Sequence, residues 1–467
     1  MPLFHWKTGS RRPRALWAGA WLGTLTLAAV LASLAAPAKP AAAYGTGCAT
    51  AVVKPVGPFH IAGDSRTVVD SKGRTFISYG TTVPGLSNPN LTTNPSGDIG
   101  KIDATANYWC GNTVRLQVSQ YAVTHNTGPD DSGTCQATYL NNALDPEVKQ
   151  AEADGLVVVI NDQTESDSKA ISGLTSKELD PTKATFAFWN CVTAHQENWR
   201  SVSNPVTYAQ DPQVIFDIFN EPQADSCKAD SATYPNGNSQ GFYDTNLWRN
   251  GGSSNGDCGP VENYQGMDAV AYHIRNQDSD TQTLLWVEGP GTAGTLAGLA
   301  QPDCGSTPTG TCFITPSLGP LVYSIHHPYG SDPTMSSPSA DPSTWWNEFG
   351  WVVDHPAATG WAPVVLGEWT NFDSYNGSSV NPGKSCWSDA PTSIPDFLSY
   401  LNTIGVGLNA YQLAAPTAGY LLKADANWTD TTNYTDAPWL SKYCIPGTTA
   451  PLLAAGSLIR TWFQQQN

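Results

Sequence analysis

Eight apolar, β-branched runs spaced along 467 residues restrict the folds open to this chain more than any other feature. A hairpin over Ile61 to Ser78, turning at Ser71-Lys72-Gly73, leads into the first strand. The later runs are Asn112 to Val118, Leu156 to Asn161, Val214 to Phe219, Thr283 to Glu288, Leu321 to His326, Pro363 to Glu368 and Gly407 to Leu413. Strands that are apolar at nearly every position are buried on both faces, the condition of a parallel sheet covered by helices. Helical patterns lie between several of them: Asp145 to Asp154, Ala184 to Ser201, Tyr264 to Asn276 and Pro395 to Ile404, with Pro451 to Gln465 closing the chain. The pattern predicts an α/β protein, a (β/α)8 TIM barrel. Gly-, Asn-, Ser- and Asp-rich stretches at 223–262, 302–318 and 371–390 follow the fourth, fifth and seventh strands. In a barrel they become long loops on the C-terminal face, where clefts are built.

Two of these runs end in a carboxylate. Val214 to Phe219 runs into Asn220-Glu221-Pro222, and Pro363 to Leu366 runs into Gly367-Glu368-Trp369. Pro222 has no N–H to give to a ladder and ends the strand. Barrel enzymes keep their reacting groups at such strand ends. Two carboxylates on two strand tips are what hydrolysis of a glycosidic bond needs, one as acid and one as nucleophile or base.

The string Val-Ile-Phe-Asp-Ile-Phe-Asn-Glu-Pro resembles the signature of glycoside hydrolase family 5, the cellulase and mannanase family. The hairpin entering the first strand near Gly80 is similar as well. The resemblance runs over roughly 61–465. It implies a retaining mechanism with Glu221 as acid/base and Glu368 as nucleophile. It further implies that Arg115, on the second strand, supports the nucleophile and that Asn220 holds the sugar 2-hydroxyl. Tyr323-Ser324-Ile325-His326-His327-Pro328-Tyr329 is similar to the family's His-x-Tyr motif on strand six. The count from Tyr-Ser selects His326, the count back from Tyr329 selects His327, and a bulge would reconcile the two. In the family the His lines the cleft and the Tyr donates to the nucleophile.

Two positions depart from the family pattern. Gln163 stands where a His often follows strand three, and Gln412 stands where strand eight usually ends in a Trp. Both fall among the expected substrate-binding or supporting residues, and Gln412 bears on which sugar is accepted. Trp369, Trp345, Trp346 and Trp361 offer sugar-stacking surface, although most Trp in a barrel of this size are core. Glu288 also caps a strand and is expected to be structural or to support the site.

Lys7, Arg11, Arg12 and Arg14, the apolar stretch Ala15 to Ala36, and Ala41-Ala42-Ala43 together read as a secretory signal over 1–43. A single catalytic domain is then expected over 44–467. Cleavage after Ala43 takes the formal net charge from −17 to −22. So acidic a surface repels nucleic acid and anionic membranes and tolerates a neutral polysaccharide. All 10 cysteines lie beyond that point, which in an exported chain argues for disulfides. Cys304 with Cys312 and Cys227 with Cys258 are candidate short loops, and Cys110 with Cys135 or Cys191 a longer one. None has zinc spacing, and no metal or cofactor is expected. The chain is expected to be a secreted, monomeric retaining β-glycoside hydrolase, foremost an endo-β-1,4-glucanase. A β-mannanase or exo-acting β-glycosidase is the enzymatic alternative, and a non-catalytic polysaccharide-binding protein the other.

Overall fold

The computed structural model of the chain describes residues 48, 54–95, 97–126, 130–164, 167, 179–223, 230–233, 239–242, 244–253, 263–277, 282–300, 312–326, 342–354, 362–369, 390–413 and 455–466. The chain divides into Met1–Ala42 and Ala43–Asn467. The expected signal over 1–43 lies outside the described residues. Among the described residues no helix is long and apolar enough to cross a membrane.

Eight parallel strands close into a barrel: β1 Tyr79–Val83, β2 Thr113–Ser119, β3 Val157–Gln163, β4 Val214–Asp217, β5 Leu285–Glu288, β6 Leu321–Ile325, β7 Val364–Trp369 and β8 Gly407–Ala410. Each pairs with its sequence neighbours, and β8 pairs with β1 to complete the ring. All eight expected runs are strands. The outer helices are α1 Asp98–Asn107, α2 Asp145–Ala153, α3 Lys183–Ala194, α4 Gly266–Gln277, α5 Trp351–Asp354, α6 Ala390–Ile404 and α7 Ala455–Gln466. Pro146 sits in the first turn of α2, and Thr182 caps α3 with a side-chain bond to the Ala184 N–H. The sequence pattern ran α3 on to Ser201. It stops at Ala194 because His195 turns extended and Gln196 forms a bridge with Thr207.

Alternation divides each strand between two surroundings. On β2, Val114, Leu116 and Val118 join the large apolar layer under the helices, while Arg115 and Gln117 face inward. Inward residues low in the barrel (Val157, Val159, Ile215, Leu284, Trp286, Val322, Val365) form a separate apolar cluster. The entry segment completes it from below: the paired strands are His60–Ile61 and Val68–Val69, the expected turn at Ser71-Lys72-Gly73 is closed by the single bridge of Val69 with Thr75, and Phe59, Val68 and Phe76 pack onto that cluster. Higher up, the inward positions are Arg115, Asp217, Glu288, Ser324 and Asn409, all fully buried. The interior thus changes from hydrocarbon to charge along the barrel axis. Gly80 is required beside Asn409, since a Cβ there would meet the Asn409 Oδ1 at 2.3 Å.

The cysteines correct one expectation. Cys110 pairs with Cys48, and Cys135 pairs with Cys191 on α3. Cys312 is disulfide-bonded as well. Cys227, Cys258 and Cys304 lie outside the described residues. Sequence spacing carries no information on which distant segments the barrel brings together, and so could not choose among the partners of Cys110. The Cys135–Cys191 bridge closes a sequence separation of 56 and ties the segment before α2 to α3. Replacing both by Ser is expected to lower unfolding free energy by about 2–4 kcal/mol, read by denaturant unfolding as a lower midpoint with a steeper slope, because the uncrosslinked unfolded chain exposes more surface.

Candidate active site

Arg115 lies at the centre of the polar layer. Its Nε donates to Asp217 Oδ2 at 2.7 Å, one Nη to Asn220 Oδ1 at 2.9 Å and to Glu288 Oε1 at 2.8 Å, and the other Nη to Glu368 Oε1. One guanidinium therefore fixes groups from β4, β5 and β7. Burial works against its charge, but Asp217, Glu368 and Glu288 outweigh that and raise its pKa further. Asp217 is pushed well above the usual carboxylate range, by burial and by Glu288, against the pull of Arg115.

Glu368 reaches this layer through a break in alternation. Val364 and Leu366 face the helices, and Val365 and Gly367 face inward. Strict alternation would send Glu368 outward. The β7–β8 register shifts between Leu366 and Trp369, however, and Glu368 turns in while Trp369 turns out. Glu368 Oε1 then accepts from Arg115 and, at 2.6 Å, from Gln117 Nε2. Burial pushes the Glu368 carboxyl up to about 7, against the cations His326 and Arg115. Gly367 leaves room for its neighbours, since a Cβ would meet Ser324 Oγ at 2.2 Å.

Glu221 stands on the opposite side. Its φ is +48°, a left-handed conformation that a residue with a Cβ adopts at a cost of about 1–3 kcal/mol. The Asn220 N–H donates to Asp162 O at 2.9 Å and the Glu221 N–H to Glu288 Oε2 at 2.6 Å. Behind this turn, Trp189 Nε1 donates to Ile218 O at 2.9 Å. His326 Nδ1 is 3.2 Å from Glu221 Oε1 and 3.7 Å from Glu368 Oε2, and Nε2 is 3.2 Å from Glu288 Oε1. Burial disfavours the imidazolium, but Glu288 and Glu368 lift the His326 pKa well above its usual value.

One oxygen of Glu221, one of Glu368 and one ring nitrogen of His326 lie within 4.8 Å of one another. These are also donors for a divalent cation, but Arg115 and Gln117 already engage one Glu368 oxygen. A second carboxylate group, Glu152, Glu197 and Asp211, is gathered around Arg200.

The structure brings together Arg115, Asn220, Glu221, His326 and Glu368 from the expected set. Between the two candidate histidines, His326 meets both carboxylates; His327 and Tyr329 lie outside the described residues. Gln163 ends β3 in register with Ser119 and is buried. Gln412 follows β8 and is nearly buried, and its Oε1 makes no hydrogen bond among the described residues. Trp369 is a correction. It is fully buried against Phe397 at a 5.2 Å ring separation, because the β7 irregularity turns it toward α6 rather than the cleft. Trp345 is likewise core, and Trp361 lies outside the described residues. Gln117 and Asp217 were missed in the sequence, although each sits two positions from a residue known to face inward.

The family profile described as Cellulase (glycosyl hydrolase family 5) matches residues 69–413. No curated protein matches. Among solved structures, the chain is similar to the native beta-glucanase SdGluc5_26A of Saccharophagus degradans, at 16% identity, TM-score 0.51, covering 91% of this chain and 98% of that one. The same beta-glucanase in complex with cellotetraose gives 15% identity and TM-score 0.53 over 91% and 98%. The catalytic domain of the Thermobifida fusca endoglucanase Cel5A gives 13% identity and TM-score 0.46 over 87% and 97%.

Removing the guanidinium takes the closest counter-charge from Asp217, Glu288 and Glu368. Arg115→Met is expected to cost about 3–5 kcal/mol of stability, measured by denaturant unfolding.

Proposed function

The chain belongs to glycosyl hydrolase family 5, and we propose that within it this enzyme is an exported, retaining endo-β-1,4-glucanase. The observation that carries the retaining mechanism is the approach of Glu221 and Glu368 to within 4.8 Å. Retaining carboxyl pairs stand about 5–5.5 Å apart, and inverting pairs about 6.5–9.5 Å apart to admit a water. An oxygen of each lying this near the other favours the retaining arrangement.

The two carboxyls have unlike surroundings, which assigns their roles. Glu368 receives hydrogen bonds from Arg115 and Gln117, both of which favour its ionised form, so it is the nucleophile. Glu221, on the Asn-Glu-Pro turn that carries the acid/base in the family it resembles, has His326 beside it and is the acid/base. Glu368 Oε2, the oxygen not held by those donors, attacks the anomeric carbon. The bond to the leaving oxygen breaks as Glu221 delivers its proton to that oxygen. Water then attacks the glycosyl-enzyme ester, Glu221 takes a water proton, and Glu368 leaves as carboxylate. Arg115 has only donors, so the Asn220 amide must turn Oδ1 toward it. Its NH2 group is left to donate to the sugar 2-hydroxyl. The family's cellulase description and the cellotetraose-bound beta-glucanase of like fold support a β-glucan as substrate. Disulfides and an acidic chain support an extracellular, monomeric enzyme acting on a neutral polymer. The 1–43 segment is its signal.

Gln412 favours one second reading. A hydrogen-bonding amide at the end of β8, in place of a flat stacking face, suits a mannan or an exo-acting site. Reducing-sugar release on carboxymethyl cellulose, barley β-glucan, mannan and xylan separates the two. Release chiefly from the glucans supports the endoglucanase, release chiefly from mannan the alternative, and binding without release at any substrate overturns both.

On the active substrate, Glu221→Gln is expected to lower kcat/KM by roughly 10²–10⁴-fold. Glu368→Gln should abolish turnover, since no ester can form. Full activity in either variant removes the assignment. Glu368 attacks only when ionised, and its carboxyl is pushed up to about 7. Activity is therefore lost as pH falls through that value, while at higher pH it lasts only as long as Glu221 keeps its proton. The acid limb of the kcat/KM profile is expected near 7, well above an ordinary carboxylate.

A further inference from the structure

Glu288 is fully buried at the tip of β5. It is where three other elements meet. Its Oε1 takes Arg115 from β2 at 2.8 Å and lies 3.2 Å from His326 Nε2, beyond β6. Its Oε2 accepts the Glu221 N–H at 2.6 Å, beyond β4. Its own backbone is fixed by Trp248 Nε1, which donates to Glu288 O at 2.9 Å. These contacts are more specific than those of a carboxylate placed only to balance a buried arginine. Asp217 and Glu368 also accept from the same guanidinium, so Glu288 is not its sole partner.

We propose that Glu288 is the positioning residue of the acid/base, holding the Glu221 backbone in its left-handed turn and setting which nitrogen of His326 faces Glu221. This rests on the reading of Glu221 as acid/base given above. Two independent contacts support it. First, a residue with a Cβ at φ +48° needs a partner that stabilises the turn, and the Glu221 N–H has one in Glu288. Second, the Glu288 carboxylate lies 3.2 Å from Nε2, which favours this ring orientation and the charged form of His326. Nδ1 then faces Glu221 and Glu368, at 3.2 and 3.7 Å. The groups acting on His326 are thus Glu221, Glu288 and Glu368, and Arg115 and Asp217 act on Glu288 in turn. Without Glu288, His326 loses one of the carboxylates that hold its charge and Glu221 loses the acceptor of its N–H, so proton delivery to the leaving oxygen suffers before nucleophilic attack does.

Proton delivery and attack are separable by leaving group. Phenolate needs a proton as it departs, and 2,4-dinitrophenolate does not. Phenyl and 2,4-dinitrophenyl β-cellobiosides are therefore compared for the wild type, Glu288→Gln, Glu288→Asp and Glu221→Gln, using kcat/KM to report the first chemical step. For Glu288→Gln the expected loss is about 10²-fold on the phenyl glycoside and under about 5-fold on the dinitrophenyl glycoside. Glu288→Asp keeps the charge beside Arg115 but draws back from the Glu221 N–H, so it should show the same split at smaller size, and it serves if Glu288→Gln does not fold. Equal losses on both substrates, or none, overturn the proposal and leave Glu288 a structural partner of Arg115. Absence of the split in Glu221→Gln instead removes the acid/base reading itself. A substrate-free arm tests the contact with His326. The His326 ring resonance, identified by its loss in His326→Gln, should titrate at lower pH in Glu288→Gln than in the wild type. An unchanged titration overturns the proposal whichever glycoside the enzyme prefers.

Discussion

The site depends on one buried guanidinium. Arg115 contributes five N–H donors in a fixed fork, and the barrel supplies acceptors from Asp217, Asn220, Glu288 and Glu368 to meet them. Burying so many carboxylates without a cation would be prohibitive, and burying the cation without them would be equally costly. Each side makes the other tolerable. Because the acceptors sit on β4, β5 and β7, the same contacts fix the relative heights of those strand ends. Stability and site geometry are therefore one problem here. The network is costly relative to a hydrocarbon core, and the barrel confines it to the upper layer. The lower layer, plugged by Phe59, Val68 and Phe76, is mainly apolar.

The chemistry needs two carboxyls that differ, and the surroundings of Glu221 and Glu368 supply that difference. Glu368 has two donors on one oxygen and lies deep. Glu221 is nearer solvent and has an imidazole for a neighbour. His326 links the two, since Nδ1 faces both. Its charge depends on Glu288 and Glu368 outweighing the burial of the ring. Protonation changes at any one of these groups are consequently felt by the others, and the pH profile belongs to the cluster rather than to a single residue.

Much of this was legible in the sequence, for identifiable reasons. The strands were legible because a sheet buried on both faces must be apolar at successive positions, as in Val157 to Ile160. The carboxylates were legible because a strand's end is marked locally, by Asn220-Glu221-Pro222 and by Gly367-Glu368. Inward partners were less visible. Gln117 and Asp217 follow from alternation once Arg115 and Ile215 are known to face in, but nothing local marks either as functional. Glu288 could be seen to cap a strand, yet its three partners lie on three other elements. The pairing of Cys48 with Cys110 depends on distant segments in the same way. Trp369 was misplaced because the register shift in β7 comes from its neighbour strand and leaves no trace in the string Val-Val-Leu-Gly-Glu-Trp.

That shift in β7 makes the enzyme unequally sensitive to two kinds of mutation. Most substitutions along the strand change one contact and leave the reading frame of inward and outward positions intact. A one-residue insertion or deletion before Gly367 would move the frame, exchanging the destinations of Glu368 and Trp369. A carboxylate would enter the apolar layer beside Phe397, and an indole would enter the layer of charge beside Arg115. Both losses would arrive together, with no intermediate that keeps either the fold or the chemistry. The strand therefore tolerates a change of length less well than a change in the identity of most of its residues.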